Sequence, residues 1–346
     1  PTPTPTPTAI PVSATGWLST RQNHLVTSNG SLWIGRGANL QDTRSCGSGT
    51  STSGAPLDDN ATGLNEVNRR VDSLTGIWNA NFVRLTLESR RTQDNYLNSA
   101  TYRWLIKQII DHIGTHPHVY VLVSIWLDPS LDANGWPTTA TNQILGQLAT
   151  DFYSYSYVMF GVSNEPINNF DGAQDSQVWV RMNSAVQAVR DAENALGPNR
   201  HIVTVQGTRD WARDVTYYQS HPITSEGGVN VAYETHIYNS PGDFAGMLAP
   251  SSTLPLLIGE YGPVNDQWSQ ATVVDMQTLV DRADAAGVPH LAWTFHQYCS
   301  PNLIGQAPGM TWDMNSTNTN GGLGMTLNPT DFGKFLIGHL QKNTVP

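Results

Sequence analysis

The sequence predicts an α/β protein, a single domain with the (β/α)8 barrel (TIM barrel) architecture. Eight short runs rich in Val, Ile, Leu and Phe follow one another along the chain, and longer segments with the period of a helix separate them. The runs are almost continuously apolar, which is typical of parallel strands buried on both faces. Eight such strands favour a closed barrel over an open doubly wound sheet, the alternative, because no run leads into a glycine-rich phosphate-binding loop.

The elements follow in order along the chain. The eight strand candidates are Ser31–Asn39, Asn81–Leu87, Val119–Trp126, Val158–Pro166, His201–Thr208, Val229–Tyr238, Pro255–Gly262 and His290–Tyr298. Two of the intervening segments place apolar residues on one helical stripe, namely Tyr102, Leu105, Ile106, Ile109 and Ile113 in the first and Val178, Met182, Ala185, Val186 and Val189 in the second. Each stripe predicts a helix that packs against the barrel.

The chain begins with a strict Pro-Thr alternation from Pro1 to Thr8, which favours an extended polyproline-type segment without a core. Such segments usually separate modules of extracellular proteins. We therefore predict an interdomain linker over residues 1–16, a further module upstream of it, and one folded domain over residues 17–346. The length of 346 residues alone would favour two domains, but barrels commonly exceed 250 residues.

Composition excludes several classes of partner. The chain has 18 basic and 28 acidic residues, a net charge of −10, and no Lys/Arg block, so neither nucleic acid nor an anionic membrane surface is expected to bind it. Its longest apolar runs are too short to span a bilayer. Only 13 % of the residues are charged, and 11 Trp and 12 Tyr offer flat apolar faces, so a neutral polymer is the partner that fits.

Polar side chains occur where the predicted strands end, which is where a barrel places its working groups. They are Arg84 in the second strand, Asn164 and Glu165 in the fourth, Glu234, His236 and Tyr238 in the sixth, Glu260 in the seventh, and Trp293 and His296 in the eighth. A lone glutamate at a strand end is more often a helix cap or an ion-pair partner. Two carboxylates facing each other across a barrel mouth, however, are the arrangement that glycoside hydrolysis requires.

These residues resemble glycoside hydrolase family 5, a family of retaining (β/α)8 glycosidases, from about Trp33 to about Leu340. The most specific matches are Asn164-Glu165-Pro166 and Ile258-Gly259-Glu260-Tyr261-Gly262. Supporting matches are Val83-Arg84-Leu85, His236-Ile237-Tyr238 and Ala292-Trp293, in the order and on the strands that the family uses.

The resemblance implies that Glu165 is the general acid/base and Glu260 the nucleophile of a double displacement that retains the anomeric configuration. Glu165 then needs surroundings that disfavour its anion, whereas Arg84 and the Tyr238 hydroxyl would keep Glu260 ionised. The two carboxyl groups are expected about 5–5.5 Å apart.

The resemblance also implies supporting roles. Asn164 would hydrogen-bond the sugar 2-hydroxyl, His236 would support the acid/base, and Trp293 would stack under the sugar at the cleavage point. Many family members have a histidine at the end of the third strand, where this chain has Ser124 and Trp126, so Trp126 is expected to enlarge the aromatic floor. His296 is a further candidate contact in the site.

Features of the predicted loops extend this expectation. Candidate outer sugar subsites are Trp136, Trp211, Trp268 and Trp312, although ordinary packing explains any one of them equally well. The segment Gln306–Leu327 reads as a long loop that walls one end of a cleft. Cys46 and Cys299 either form a disulfide, which would join the first and eighth loops of a closed barrel, or remain two buried thiols.

The leading functional hypothesis is a secreted, extracellular endo-β-1,4-glucanase (cellulase), joined through its linker to a module such as a carbohydrate-binding module and otherwise monomeric. The alternatives are an endo-β-1,4-mannanase or a xyloglucanase on the same scaffold and, from a different class, a carbohydrate-binding barrel without activity. No cofactor and no metal ion are expected, because no cluster of ligands with metal-binding spacing stands out in the sequence and this chemistry needs no ion.

Overall fold

The computed structural model describes residues 15–44, 59–89, 94–264, 266–267, 269–296, 299–305 and 329–343. The predicted linker over residues 1–16 lies almost entirely outside these ranges and stays a prediction, as does the loop Gln306–Leu327. Within the described ranges, none of the helices combines the length and the apolar character needed to cross a membrane.

A short antiparallel hairpin, which the sequence did not predict, precedes the barrel. It consists of β1 (Leu18–Arg21) and β2 (His24–Thr27). Leu18 and Leu25 of this hairpin are buried in the core cluster, so it closes one end of the domain.

Eight parallel strands form the predicted closed barrel. They are β3 (Arg36–Gln41), β4 (Phe82–Glu88), β5 (Tyr120–Leu127), β6 (Val158–Gly161), β7 (Val203–Gln206), β8 (Val231–Ile237), β9 (Leu256–Tyr261) and β10 (His290–Ala292). They neighbour one another in chain order, and β10 pairs with both β9 and β3. This closure confirms the (β/α)8 fold and excludes the open sheet. Gly37 of β3 allows close approach, since a Cβ there would lie 1.7 Å from the Phe82 carbonyl oxygen.

Helices surround the barrel. They are α1 (Ala61–Val71), α2 (Ala100–Ile113), α3 (Thr139–Asp151), α4 (Asp175–Asn194), α5 (Phe244–Leu248), α6 (Val273–Ala285) and α7 (Asp331–Lys342), and a π-helical turn, Asp72–Ile77, continues α1. Both predicted apolar stripes are buried, one on α2 and the other on α4. Burial of these stripes against the strands is the main stabilising contribution of the helices.

Six of the eight barrel strands are shorter than the sequence predicts, and two of them end far before the predicted boundary. The ladder of β6 ends at Gly161 instead of continuing to Pro166, and that of β10 ends at Ala292 instead of Tyr298. The residues after β6 cannot continue a strand, because Glu165 has a positive φ of 42°. The chain therefore leaves the barrel at the point where it presents Asn164 and Glu165.

At the opposite end of the barrel, two histidines share a buried contact. His290 begins β10 and His339 lies on α7, with 3.1 Å between their Nε2 atoms. Asp284 forms an ion pair with Arg36, with 2.8 Å between Oδ1 and Nε. Its carboxylate oxygens lie 4.0 Å from His290 Nδ1 and 3.8 Å from His339 Nε2. Burial and the neighbouring His339 lower the pKa of His290 to about 4.

We expect acid to destabilise the fold by protonating His290, which is in contact with His339. The pKa of His290 is lower in the folded chain, about 4, than its ordinary value of 6.5, so the unfolded chain binds the extra proton. Stability from the neutral imidazole is present above pH 6.5 and is lost as the pH falls toward 4, by about 3 kcal/mol. Urea unfolding of the wild type and His290→Gln between pH 7 and pH 4 measures this, and equal pH slopes for the two proteins would contradict it.

Candidate active site

Two glutamates face each other at the carboxyl-terminal end of the barrel strands. Glu165 follows β6, and Glu260 is the penultimate residue of β9. One carboxylate oxygen of each, together with a ring nitrogen of His236, lies within 4.8 Å of the others. The fold thus brings together two carboxyl groups that are distant in sequence, as the strand-end pattern predicts.

Glu260 is held at both carboxylate oxygens. Arg84 Nη1 donates to Oε1 at 2.7 Å, and the Tyr238 hydroxyl donates to Oε2 at 2.8 Å. Burial raises the pKa of Glu260, while the positive charges of His236 and Arg84 oppose that rise. Burial and the Glu260 charge keep the pKa of Tyr238 well above its ordinary value, so its hydroxyl remains a donor.

Arg84 organises the surrounding polar groups. Its side chain is fully buried in β4, and Nη1 also donates to Asn39 Oδ1 at 2.9 Å. Its Nη2 donates to Asn164 Oδ1 at 2.9 Å and to Ser124 Oγ at 3.1 Å. One guanidinium therefore orients both the Asn164 amide and the Glu260 carboxylate. Its rigid planar fork is better suited to holding two groups at once than the single ammonium of a lysine.

Glu165 is oriented by its backbone as well as by its side chain. The left-handed φ of 42° turns the residue out of the strand direction, and its N–H donates to Gln206 Oε1 at 3.2 Å. Such a conformation in a residue other than glycine costs about 1 kcal/mol or more and is concentrated at functional sites. The carboxyl group is 30 % exposed and lies 3.0 Å from His236 Nδ1.

His236 connects Glu165 to a third carboxylate, Glu234. His236 Nε2 lies 3.1 Å from Glu234 Oε1, while Nδ1 faces both Glu165 at 3.0 Å and Glu260 at 3.6 Å. Burial alone would lower the pKa of His236, but the charge of Glu260 and the hydrogen bonds to Glu165 and Glu234 outweigh it and raise the pKa to about 9. At neutral pH the ring is therefore an imidazolium that donates from both nitrogens. His236 thus contacts Glu165 directly, and its supporting role in catalysis stays a prediction.

Glu234 is a site residue to which sequence reasoning gave no role. It is fully buried, with Oε1 at 3.2 Å from Arg84 Nε and Oε2 accepting from the Thr204 hydroxyl at 2.6 Å. Burial would raise the pKa of Glu234, but Arg84 and His236 reverse the effect and lower it to about 2. Space for this carboxylate comes from Gly259, where a Cβ would lie 2.0 Å from Oε1.

Aromatic residues line the cleft beside the glutamates. The rings of Trp126 and Trp293 have centroids 5.3 Å apart and planes inclined by 39°. Trp126, Asn164, Glu165 and Trp211 line a cleft of about 560 Å³. Trp211 is 43 % exposed, and its ring lies 4.8 Å from that of Phe170, so an apolar surface extends outward from Glu165.

The remaining sequence candidates are buried or lie outside the described residues. Trp136 is 5 % exposed and belongs to the hydrophobic core, so the structure does not place it as an open platform. His296 is buried, and burial together with the Arg70 charge keeps its pKa well below the ordinary value. Trp268, Trp312 and Cys46 lie outside the described residues. Pairing of Cys46 with the buried Cys299 therefore stays a prediction.

The carboxylates with His236 have the composition of a metal site, but their hydrogen bonding does not suit one. Both ring nitrogens of His236 already face a carboxylate oxygen, Nδ1 that of Glu165 at 3.0 Å and Nε2 that of Glu234 at 3.1 Å. The arrangement instead suits acid/base and nucleophilic chemistry at a bond lying between Glu165 and Glu260.

Comparisons with known proteins agree with this fold. The family model "Cellulase (glycosyl hydrolase family 5)" matches residues 47–298. The structure is similar to the β-glucanase of Saccharophagus degradans (TM-score 0.71, 16 % identity, 99 % of this chain and 98 % of that chain), also solved in complex with cellotetraose. It is likewise similar to the catalytic domain of an endoglucanase of Thermobifida fusca (TM-score 0.66, 16 % identity, 96 % and 99 %).

Among curated protein sequences, no match to the chain is found. The family model nevertheless covers well over half of the chain, and it spans the strands that carry Arg84, Glu165, His236 and Glu260. The chain is thus an O-glycosyl hydrolase that belongs to the cellulase family, glycosyl hydrolase family 5.

Proposed function

We propose that the protein is an endo-β-1,4-glucanase that cleaves internal bonds of cellulose and related glucans with retention of configuration. The observation that carries the proposal is the pair of carboxyl oxygens of Glu165 and Glu260 within 4.8 Å. Carboxyl groups this close leave no room for a water on the far side of the sugar, so direct attack by a carboxylate is favoured over inversion.

In the first step Glu260 attacks the anomeric carbon while Glu165 protonates the departing glycosidic oxygen. The carbon–oxygen bond to the leaving sugar breaks, a glycosyl–Glu260 ester forms, and Glu165 becomes a carboxylate. The attacking oxygen gives up negative charge in this step. Arg84 and Tyr238, which hydrogen-bond to Glu260, fix the direction of attack and stabilise the carboxylate when it leaves again.

In the second step Glu165 removes a proton from water, and the resulting oxygen nucleophile attacks the same carbon. The ester bond breaks, Glu260 regains its negative charge, and Glu165 regains its proton. His236 Nδ1 lies 3.0 Å from Glu165 Oε1 and holds the carboxyl group in one orientation, so the group can serve first as acid and then as base.

A glucan is the proposed substrate for two reasons. Two structural relatives were solved in complex with cellotetraose, a β-1,4-linked glucan fragment. The cleft of this chain also continues outward from Glu165 along Trp126 and Trp211, which suits a long neutral chain that stacks on aromatic faces. Because such a polymer cannot enter a cell, we further propose that the protein acts after secretion.

A panel of polysaccharides tests the proposal. Cellulose derivatives, mixed-linkage β-glucan, mannan and xyloglucan are incubated with the protein, released reducing ends are measured, and the anomers of the first products are followed by NMR. We expect the highest activity on the β-1,4-glucans and initial release of the β-anomer. Preference for mannan or xyloglucan would overturn the substrate, and initial release of the α-anomer would overturn the retaining mechanism.

Trp211 is proposed as an outer subsite, since Asp210, Trp211 and Ala212 all have positive φ values, between 53° and 66°, which hold the exposed ring in one place. We expect Trp211→Ala to raise KM for long cello-oligosaccharides about tenfold, or about 1.4 kcal/mol, and to leave kcat unchanged. Steady-state kinetics on oligosaccharides of increasing length measures this. Trp104→Ala is the matched control, because Trp104 is similarly exposed at 46 % but lies on α2. An equal KM effect in both variants would refute the subsite.

A further inference from the structure

Two histidines and an aspartate converge at the end of the barrel opposite the glutamates. Asp72 begins the π-helical turn after α1, His112 lies in the last turn of α2, and His116 lies in the turn that follows. Asp72 Oδ1 is 2.7 Å from His112 Nε2 and 2.9 Å from His116 Nε2. Both imidazoles therefore aim the same ring nitrogen at a single carboxylate oxygen.

The three ligand atoms come close to the spacing that a transition metal ion requires. All three lie within 4.8 Å of one another. Around a tetrahedral zinc ion with bonds of about 2.1 Å, neighbouring ligand atoms are about 3.4 Å apart. A shift of the Asp72 carboxylate by a little more than half an ångström would therefore lengthen its contacts with His112 and His116 to this distance.

Exposure and helix direction both favour a cation at this position. The side chains of His112, His116 and Asp72 are 27 %, 20 % and 36 % exposed, so an ion can enter and keep water as its remaining ligand. Asp72 directly follows the last residue of α1, and His112 is in the last turn of α2. The carboxyl-terminal end of α2 thus adds partial negative charge to the formal charge of Asp72.

We propose that Asp72, His112 and His116 form a binding site for a divalent transition metal ion of the zinc type, which clamps α1 to α2. Two imidazoles with one carboxylate suit Zn²⁺, Co²⁺, Ni²⁺ and Cu²⁺, whereas Ca²⁺ and Mg²⁺ require more oxygen ligands. The site lies at the amino-terminal end of the barrel strands, away from the carboxyl-terminal end where barrel enzymes carry out chemistry. Its role is stabilisation, not hydrolysis.

Titration of the chelator-treated protein with ZnCl₂ tests the site. By isothermal titration calorimetry we expect one equivalent of Zn²⁺ to bind at pH 7.5, and by calorimetric unfolding a rise in Tm of about 3–6 °C at saturation. His112→Gln, His116→Gln and Asp72→Asn should each weaken binding by at least about tenfold and remove most of the Tm rise.

The matched control is His221→Gln, an exposed histidine outside the cluster, which should bind Zn²⁺ like the wild type. Circular dichroism of each variant verifies folding, and the three variants serve as independent tests should one fail to fold. The rate of hydrolysis should be the same with and without one equivalent of Zn²⁺, because the proposed site is far from the glutamates. An ion bound instead by Glu165 and Glu260 would inhibit hydrolysis. Absence of stoichiometric binding, unchanged affinity in the folded variants, or inhibition at one equivalent would overturn the proposal.

Discussion

Glu165→Gln and Glu260→Gln should each lower kcat/KM on β-1,4-glucan by at least about 10³-fold, since each removes one of the two reacting groups. Glutamine keeps the size of the side chain and its hydrogen-bond acceptor. At position 260, however, the amide cannot attack carbon, and at position 165 it cannot release a proton. Both variants should retain oligosaccharide binding, measured by calorimetry with cellotetraose.

The leaving group separates the two roles. An aryl cellobioside with an acidic phenol leaves without a proton, so Glu165→Ala should form the glycosyl–enzyme rapidly and then stall. Azide, which needs no general base, should restore turnover in this variant and give the β-glycosyl azide, whereas in Glu260→Ala it can only attack the substrate directly and give the α-glycosyl azide. Glu226→Gln, a change at an exposed glutamate, is the matched control and should be fully active. Wild-type hydrolysis by Glu165→Ala, or formation of the α-glycosyl azide by Glu165→Ala and the β-glycosyl azide by Glu260→Ala, would refute the assignment.

Much of this site follows from the sequence because strand ends of a parallel barrel must meet. The apolar runs predict eight strands, and the polar residues in them or just after them, Arg84, Glu165 and Glu260, are then expected at one mouth. The contacts expected of Arg84 and Tyr238 with Glu260 are present at 2.7 and 2.8 Å. Each depends only on which strand carries the residue and on the alternation of side chains along it.

The rest depends on details that alternation does not encode. Between β8 and β9 the pairing shifts by one residue, so that Thr235 faces Ile258 but His236 faces Glu260, and Gly259 is passed over. This irregularity creates the space that Glu234 occupies and gives it a role beside His236. The sequence does not reveal the cluster of Asp72, His112 and His116 for another reason. Asp72 lies 40 residues before His112, and only the packing of α1 and α2 brings them together.

Glu234→Gln should be the most damaging change outside the two reacting glutamates. It removes the negative charge next to Arg84 and His236 while keeping the shape of the side chain. We expect the pKa of His236 to fall from about 9 toward its ordinary value of 6.5, which an NMR titration of the imidazole measures. Loss of the cationic donor leaves Glu165 less well oriented, so kcat/KM should fall about 10²-fold and its alkaline limb should move to lower pH.

The same substitution has a stability effect with a definite pH dependence. The pKa of Glu234 is about 2 in the folded chain against an ordinary 4.5, so its charge contributes stability above pH 4.5 that is lost as the pH falls toward 2. The free energy of unfolding of Glu234→Gln should therefore be about 3 kcal/mol lower than that of the wild type at pH 7, with the difference shrinking below pH 4.5.

Thr204→Val is the control for the charge of Glu234, because it removes the hydrogen bond that the neutral Thr204 hydroxyl donates to Glu234 Oε2 and leaves the carboxylate charge in place. If His236 titrates identically in Glu234→Gln and the wild type, Glu234 fills space only, and the fall in kcat/KM must come from packing. If its pKa falls in Glu234→Gln but not in Thr204→Val, the Glu234 charge is what keeps the imidazole protonated beside the proposed acid/base.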